Sequence, residues 1–148
     1  MQECSWVFAI MEPITTEEPI HQRCFACGRA NVDGLKLTFS ARGDGKIGAN
    51  FTLGDAYQGY PGMVQGGIIA TVLDSAMTNY LFSQGVTAMT VRLNVQYRQP
   101  VLVGELLTVE AELIRKRGRL YELKACLFQA GCLKALASAK FMVPKDVI

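Results

Sequence analysis

A single histidine, His21, serves 148 residues, and it lies near the N-terminus. That scarcity argues against a Ser-His-Asp arrangement elsewhere in the chain and makes an Asp/His pair in the central region equally hard to build. Gly-x-Ser-x-Gly, Walker and dinucleotide fingerprints are absent as well. Any chemistry must therefore rest on carboxylates, hydroxyls, amides and backbone groups. No apolar run approaches the ~20 residues that cross a bilayer. Residues 6–11 are apolar, but the stretch is short and lacks a basic leader, so a cytoplasmic protein with no membrane partner is expected. With a net charge of +2 and no stripe of Lys or Arg, the chain offers nucleic acid no obvious footprint. The densest basic stretch, Arg115, Lys116, Arg117 and Arg119, reads first as a solvated hairpin turn and second as a dock for a phosphorylated ligand. Five cysteines, an odd number, fit a reducing compartment better than a disulfide framework.

What is present is enough apolar surface for one core, half of the residues being hydrophobic. Residues 1–20 read as an N-terminal arm and residues 21–148 as a single domain. A polar loop from His21 to Gly34 precedes Leu35, Leu37 and Phe39, whose alternation predicts a strand. Gly43-Asp44-Gly45 predicts a turn, with Ile47–Leu53 as the hairpin partner. After a glycine-rich loop, Ile68–Phe82 contains neither Gly nor Pro and predicts a helix of about four turns, apolar on most sides and hence buried. Four strands follow. In the first, Val91, Leu93, Val95 and Tyr97 share one face, and Thr90, Arg92, Asn94, Gln96 and Arg98 share the other. Leu107–Leu113, Tyr121–Leu127 and Ala135–Phe141 repeat the alternation. A lone helix among six strands has to be covered by a sheet that curls around it, an α+β domain.

Asp74 is the only acid in that helix, and a carboxylate among apolar neighbours is costly unless it is hydrogen-bonded or wet. It is either a base or nucleophile facing a pocket or an ordinary residue of the helix's narrow polar strip. Gly66 and Gly67 stand where the helix begins, and unpaired N–H groups there can hold a developing oxyanion. Close packing of the helix under the sheet would explain the same glycines. Asp74 lies about 12 Å further along the axis, too far for one subunit to place both groups on one carbon easily, so a site completed across a dimer is expected. Cys24-Phe-Ala-Cys27-Gly28 with His21 supplies three of the four ligands zinc normally takes. A tight loop with a buried thiol pair is the expectation there, with no metal. Cys126 and Cys132 read as core or turn residues and Cys4 as a free thiol in the arm.

The run from Gly59 through Gln65-Gly66-Gly67 to Asp74 resembles the signature of hotdog-fold thioesterases, nearest the phenylacetate-pathway and 4-hydroxybenzoyl-CoA types. Those proteins carry His-Gly-Gly, then an acid seven residues past the second glycine. Cys24-Phe-x-Cys-Gly28, Gly34-Leu35, Asn94-x-Gln-Tyr97, Pro100 and Gly104-Glu105 extend the similarity over about residues 20–143. The resemblance implies a hotdog fold, one long helix wrapped by a curved antiparallel sheet, and an acyl-CoA thioesterase acting as a homodimer or homotetramer without a cofactor. It implies Asp74 as base or nucleophile and the Gly66 N–H as oxyanion donor, with Gly67 beside it. Gln58 would be a second contact to the oxyanion, Thr78 an orienter of water, and Thr90 a hydroxyl near the substrate. Arg92, Arg98 or the basic turn would meet the phosphates of CoA. Gln65 replaces the usual histidine and keeps an amide donor but loses imidazole basicity. Ser75 follows Asp74 where relatives often have Glu. A non-catalytic acyl-CoA or acyl-lipid binding protein is the alternative, and a zinc-stabilised interaction module a third reading.

Overall fold

The structure, a computed structural model, describes residues 19–145; the arm's first eighteen residues, Cys4 included, lie outside that range. A short 3-10 turn at Pro19–His21 leads into β1 (Ser40–Gly43) and β2 (Lys46–Thr52). The helix α1 (Gly66–Ser83) follows, then β3 (Met89–Tyr97), β4 (Leu106–Arg117), β5 (Leu120–Gln129) and β6 (Cys132–Met142). All neighbouring strands pair antiparallel in one sheet ordered β1-β2-β4-β5-β6-β3. The sheet curves around α1, which is the hotdog arrangement.

The helix sits close because the sheet beneath it is made of small residues. Ala111, Ala125 and Ala137 lie side by side on β4, β5 and β6, flanked by Ile47 and Val95. Larger side chains fill the rows on either side, among them Leu107, Val109, Leu123, Leu127 and Phe141, all buried. From above, Ile69, Val72, Leu73, Ala76, Met77 and Leu81 of α1 close the core. Each fully buried Leu or Phe contributes ~1.5–3 kcal/mol of hydrophobic stabilisation. The helix stops where Gly85 takes φ +71, with Gly85 N donating to Phe82 O at 2.9 Å and Val86 N to Leu81 O at 2.9 Å. These two bonds are a Schellman motif, which needs a left-handed residue at the glycine.

Two strand readings are corrected. Leu35, Leu37 and Phe39 are not in a strand. Leu37 and Phe39 are buried, but Leu35 N and Leu37 N donate to Phe25 O and Ala26 O of the preceding loop, and Lys36 at φ 52 breaks the alternation. The ladder begins only at Ser40 and reverses through Asp44 and Gly45, both at positive φ, as a two-residue hairpin requires. The second correction concerns β3. Thr90 pairs with Phe141 and Arg92 with Lys140, so Val91 is an extra residue, a β-bulge. Thr90 therefore faces the helix together with Leu93, Val95 and Tyr97, while Arg92, Asn94 and Gln96 face outward.

On the outer face, Glu112 meets Lys124 at 3.0 Å and Glu122 meets Arg115 at 2.7 Å and Lys140 at 3.6 Å. Such exposed pairs are worth ~0–1 kcal/mol each. The basic segment is mostly committed locally. Arg115 grips Glu122 with two nitrogens, Arg119 donates to Val143 O, and Lys116 lies over the Tyr121 ring. Cys126 is half-buried within β5, and Cys132 is exposed at the start of β6.

Candidate active site

Residues 54–65 fold back on themselves before the helix, Gln65 N donating to Tyr57 O and Gly59 N to Met63 O. Within this loop Gln58 Oε1 accepts from Gly62 N at 3.1 Å, so the Gln58 amide ties its own turn together. Gln65 is the N-cap of α1, its Oε1 accepting from Ile68 N at 3.0 Å. A cap of this kind satisfies one of the orphan donors of the first turn. Helical geometry leaves the N–H groups of Gly66 and Gly67 without intrahelical partners. A Cβ on Gly67 would stand 2.8 Å from the capping oxygen of Gln65, so the glycine keeps room for the cap. Tyr97 at the end of β3 donates its hydroxyl to Gly66 O at 2.7 Å and fixes the helix start against that strand.

Two turns on, Asp74 projects from the half-buried side of α1 toward the other end of β3. The Thr90 hydroxyl donates to Asp74 Oδ1 at 2.7 Å. Burial raises the Asp74 carboxyl above its ordinary value, and the Thr90 hydrogen bond and the nearby His21 charge oppose that rise. Thr78 donates instead to Asp74 O at 3.0 Å, bonding its own helix backbone and not the carboxylate.

His21 was not expected here. The N-terminal loop carries its ring to the C-terminal half of α1, edge-on to Phe82 with centroids 4.7 Å apart. There its charge and that of Asp74 bear weakly on one another, with no direct hydrogen bond between them. Burial lowers the His21 pKa more than Asp74 raises it, so its neutral form is favoured. Tyr97 was also missed as a site residue. Its signal was a phenol at the end of an apolar strand face, since a Tyr hydroxyl set against packed surface generally finds a partner.

Arg92 and Arg98 do not join this group within one subunit. Arg92 lines a cavity of about 270 Å³ on the outer face with Asn94, Ser138 and Lys140, and Arg98 Nη2 donates to Gln96 Oε1 at 3.3 Å. The two ends of the site, Gly66 and Asp74, both meet β3. That strand is an edge of the sheet, with Met89, Val91, Leu93 and Tyr97 substantially exposed.

The sequence model of the Thioesterase superfamily matches residues 61–135, a span that includes Gln65, Gly66, Asp74, Thr90 and Tyr97. The acyl-coenzyme A thioesterase THEM4 of Rattus norvegicus is 35% identical over 94 residues, covering 62% of this chain and 40% of that protein. The Bos taurus THEM4 is 27% identical over 112 residues, 74% of this chain and 46% of its own length. The chain thus spans less than half the length of these curated relatives. Among solved structures, a thioesterase superfamily protein superposes with a TM-score of 0.77 at 26% identity, over 82% of this chain and 60% of the other. A phenylacetic acid degradation-related protein from Ralstonia eutropha JMP134 gives 0.62 at 29% identity, over 67% and 76%.

Proposed function

The chain belongs to the thioesterase superfamily, and from that membership and the site's geometry we propose that it hydrolyses acyl-CoA thioesters as a homodimer or dimer of dimers. The observation that carries the reading is the half-buried Asp74, held by Thr90 beside a strand that is an edge of the sheet among the described residues. In the water-mediated form, Asp74 takes a proton from water as its oxygen attacks the thioester carbon. The carbonyl oxygen gains charge and is held by the Gly66 N–H. Collapse then breaks the C–S bond, and the CoA thiolate leaves to be protonated. If the carboxylate attacks directly, an anhydride forms and water opens it, with the same products. One oxyanion donor of this kind is worth roughly a hundred- to a thousandfold in rate.

A second copy supplies what one subunit lacks. Pairing two β3 edges would bury the apolar groups along them and set the helix start of one subunit facing Asp74 of the other. An edge strand with free backbone groups and exposed Val91 and Tyr97 is a template for such pairing. The relatives' name supports CoA as the carrier, and its phosphates would meet arginines of the assembled oligomer, with Arg92 and Arg98 as candidates.

Gln65 favours one other reading. Its amide oxygen is spent on the helix cap at the position where the resemblance implies histidine, which suits a chain that binds acyl-CoA without turning it over. Thiol release from short, long and aromatic acyl-CoAs separates the two. Hydrolysis predicts release that falls at least about a hundredfold in Asp74→Asn, the scale of a lost general base. Tight binding of acyl-CoA with no release from any substrate would refute the enzyme. No helix among the described residues is long and apolar enough to cross a membrane. A cytoplasmic location stays part of this proposal.

A further inference from the structure

The loop between Pro19 and Phe39 does more than cover the helix. His21, Cys24 and Cys27 each present a ligand atom, and these atoms all lie within 4.8 Å of one another. His21 Nδ1 is 3.2 Å from Cys27 Sγ. The backbone is wound to hold them so. Cys24 N donates to His21 O at 3.1 Å, Gly28 N to Cys24 O at 2.9 Å and Ala30 N to Gln22 O at 2.9 Å. At Gly28 the winding leaves no room for a side chain, since a Cβ would come within 2.3 Å of Gln22 O.

A second observation comes from the helix. Asn79 is fully buried, its Nδ2 donating to Ser75 O at 2.8 Å, and its Oδ1 has no partner among the described residues. The Asn79 amide and the Ser75 hydroxyl lie on the face of α1 turned toward Cys27. A buried amide oxygen without a partner costs stability, so a ligand or solvent molecule held on this face would relieve it.

We propose that His21, Cys24 and Cys27 bind a zinc-class divalent cation, with the fourth position taken by Asn79 Oδ1 or solvent. Tetrahedral zinc with bonds of about 2.3 Å to sulfur and 2.0 Å to nitrogen places its ligands roughly 3.5–3.8 Å apart. The cluster reaches that spacing with shifts of about an ångström or less. Binding exchanges two thiol protons for the metal's charge, Zn²⁺ + 2 RSH giving the dithiolate and two H⁺. Coordination through Nδ1 would leave the ring proton of His21 on Nε2 and lock the imidazole edge-on to Phe82. The site is structural, clamping the N-terminal loop to the face of α1 that carries the candidate acid.

The test uses the full chain purified under reducing conditions without chelator. Elemental analysis should find zinc stoichiometric with protein, and replacement by Co²⁺ should give the thiolate charge-transfer and tetrahedral ligand-field bands. Cys24→Ser should abolish both signals, while Cys132→Ser should leave them intact. Should Cys24→Ser fail to fold, His21→Gln gives a second reading, with loss or marked weakening of the cobalt spectrum expected. A folded chain that takes up neither metal, uptake indifferent to both variants, or a Cys24–Cys27 disulfide in place of metal uptake would each overturn the proposal.

Discussion

Replacing Thr90 by Val keeps a β-branched residue in an edge strand and deletes the hydroxyl that donates to Asp74 Oδ1 at 2.7 Å. A hydrogen bond to a charged group is worth ~1.5–3 kcal/mol. Thr90 is exposed in the single chain, so the lower part of that range applies. A loss of about 1–2 kcal/mol corresponds to a factor of roughly 5–30. The sign follows from which form the hydroxyl favours. Donation stabilises the carboxylate, whereas burial raises the carboxyl's pKa. Without the hydroxyl the carboxyl moves further up, and the acid limb of kcat/KM should move to higher pH with it. The deficit should therefore be largest on the acid side and shrink as pH rises past the limb. Thiol release measured across pH for the wild type, Thr90→Val and Thr90→Ser checks this, with Ser restoring the wild-type profile. Superimposable profiles for Val and wild type would refute the role given to Thr90. So would a loss equal at every pH that Ser does not rescue.

The same carboxyl predicts a stability effect of opposite sense to its catalytic one. Its folded pKa lies above the ordinary value of 3.8, so the group's contribution to stability is greatest at low pH and falls as pH rises through the folded pKa. Asp74→Asn should then melt at or above the wild-type temperature at neutral pH while losing thiol release, and a clear fall in Tm would contradict this. Gln65→Ala removes the cap on Ile68 N and should cost ~0.5–2 kcal/mol in chemical denaturation, with Gln65→Ser recovering much of it. An unchanged midpoint for the Ala variant would mean that the cap is idle. Val91→Lys places a charge on the free edge of β3, so light scattering should find smaller species and thiol release should fall alongside. Full activity from a proven monomer would refute a site completed between subunits.

The helix and the hairpins were legible in the sequence because their periodicities are local. Asp74 stood out as the one acid in α1, and Asp44-Gly45 announced its turn through residues that accept positive φ. The misplaced elements share a different cause. Alternation assigns faces only while the register is unbroken, and the extra residue at Val91 shifts Thr90 from the face of Arg92 to the face of the helix. Leu35–Phe39 carries the pattern of a strand, but its backbone is claimed by residues 25–26. The place of His21 beside Asp74 depends on how a whole loop packs, which neither spacing nor composition encodes. Gln65 was read against the histidine of relatives, although its position three residues before Ile68 also marks a cap.

The bulge at Val91 makes β3 a strand whose length matters more than its composition. Removing that one residue would leave Thr90 and Leu93 two positions apart, the spacing at which a regular strand keeps side chains on one face. The pairings of Thr90 with Phe141 and of Leu93 with Ala139 would survive in an unbroken ladder, and with them the Thr90 bond to Asp74 and the Tyr97 tie to Gly66. Side chains along β3 can vary one at a time while both ends of the site stay in place, and Val91 is one residue of spare length, whereas a second deletion would turn Thr90 or Tyr97 outward. Other changes of length should be tolerated beyond its ends, in the turns near Gly85 and Gly104, where positive φ already marks the chain as reversing.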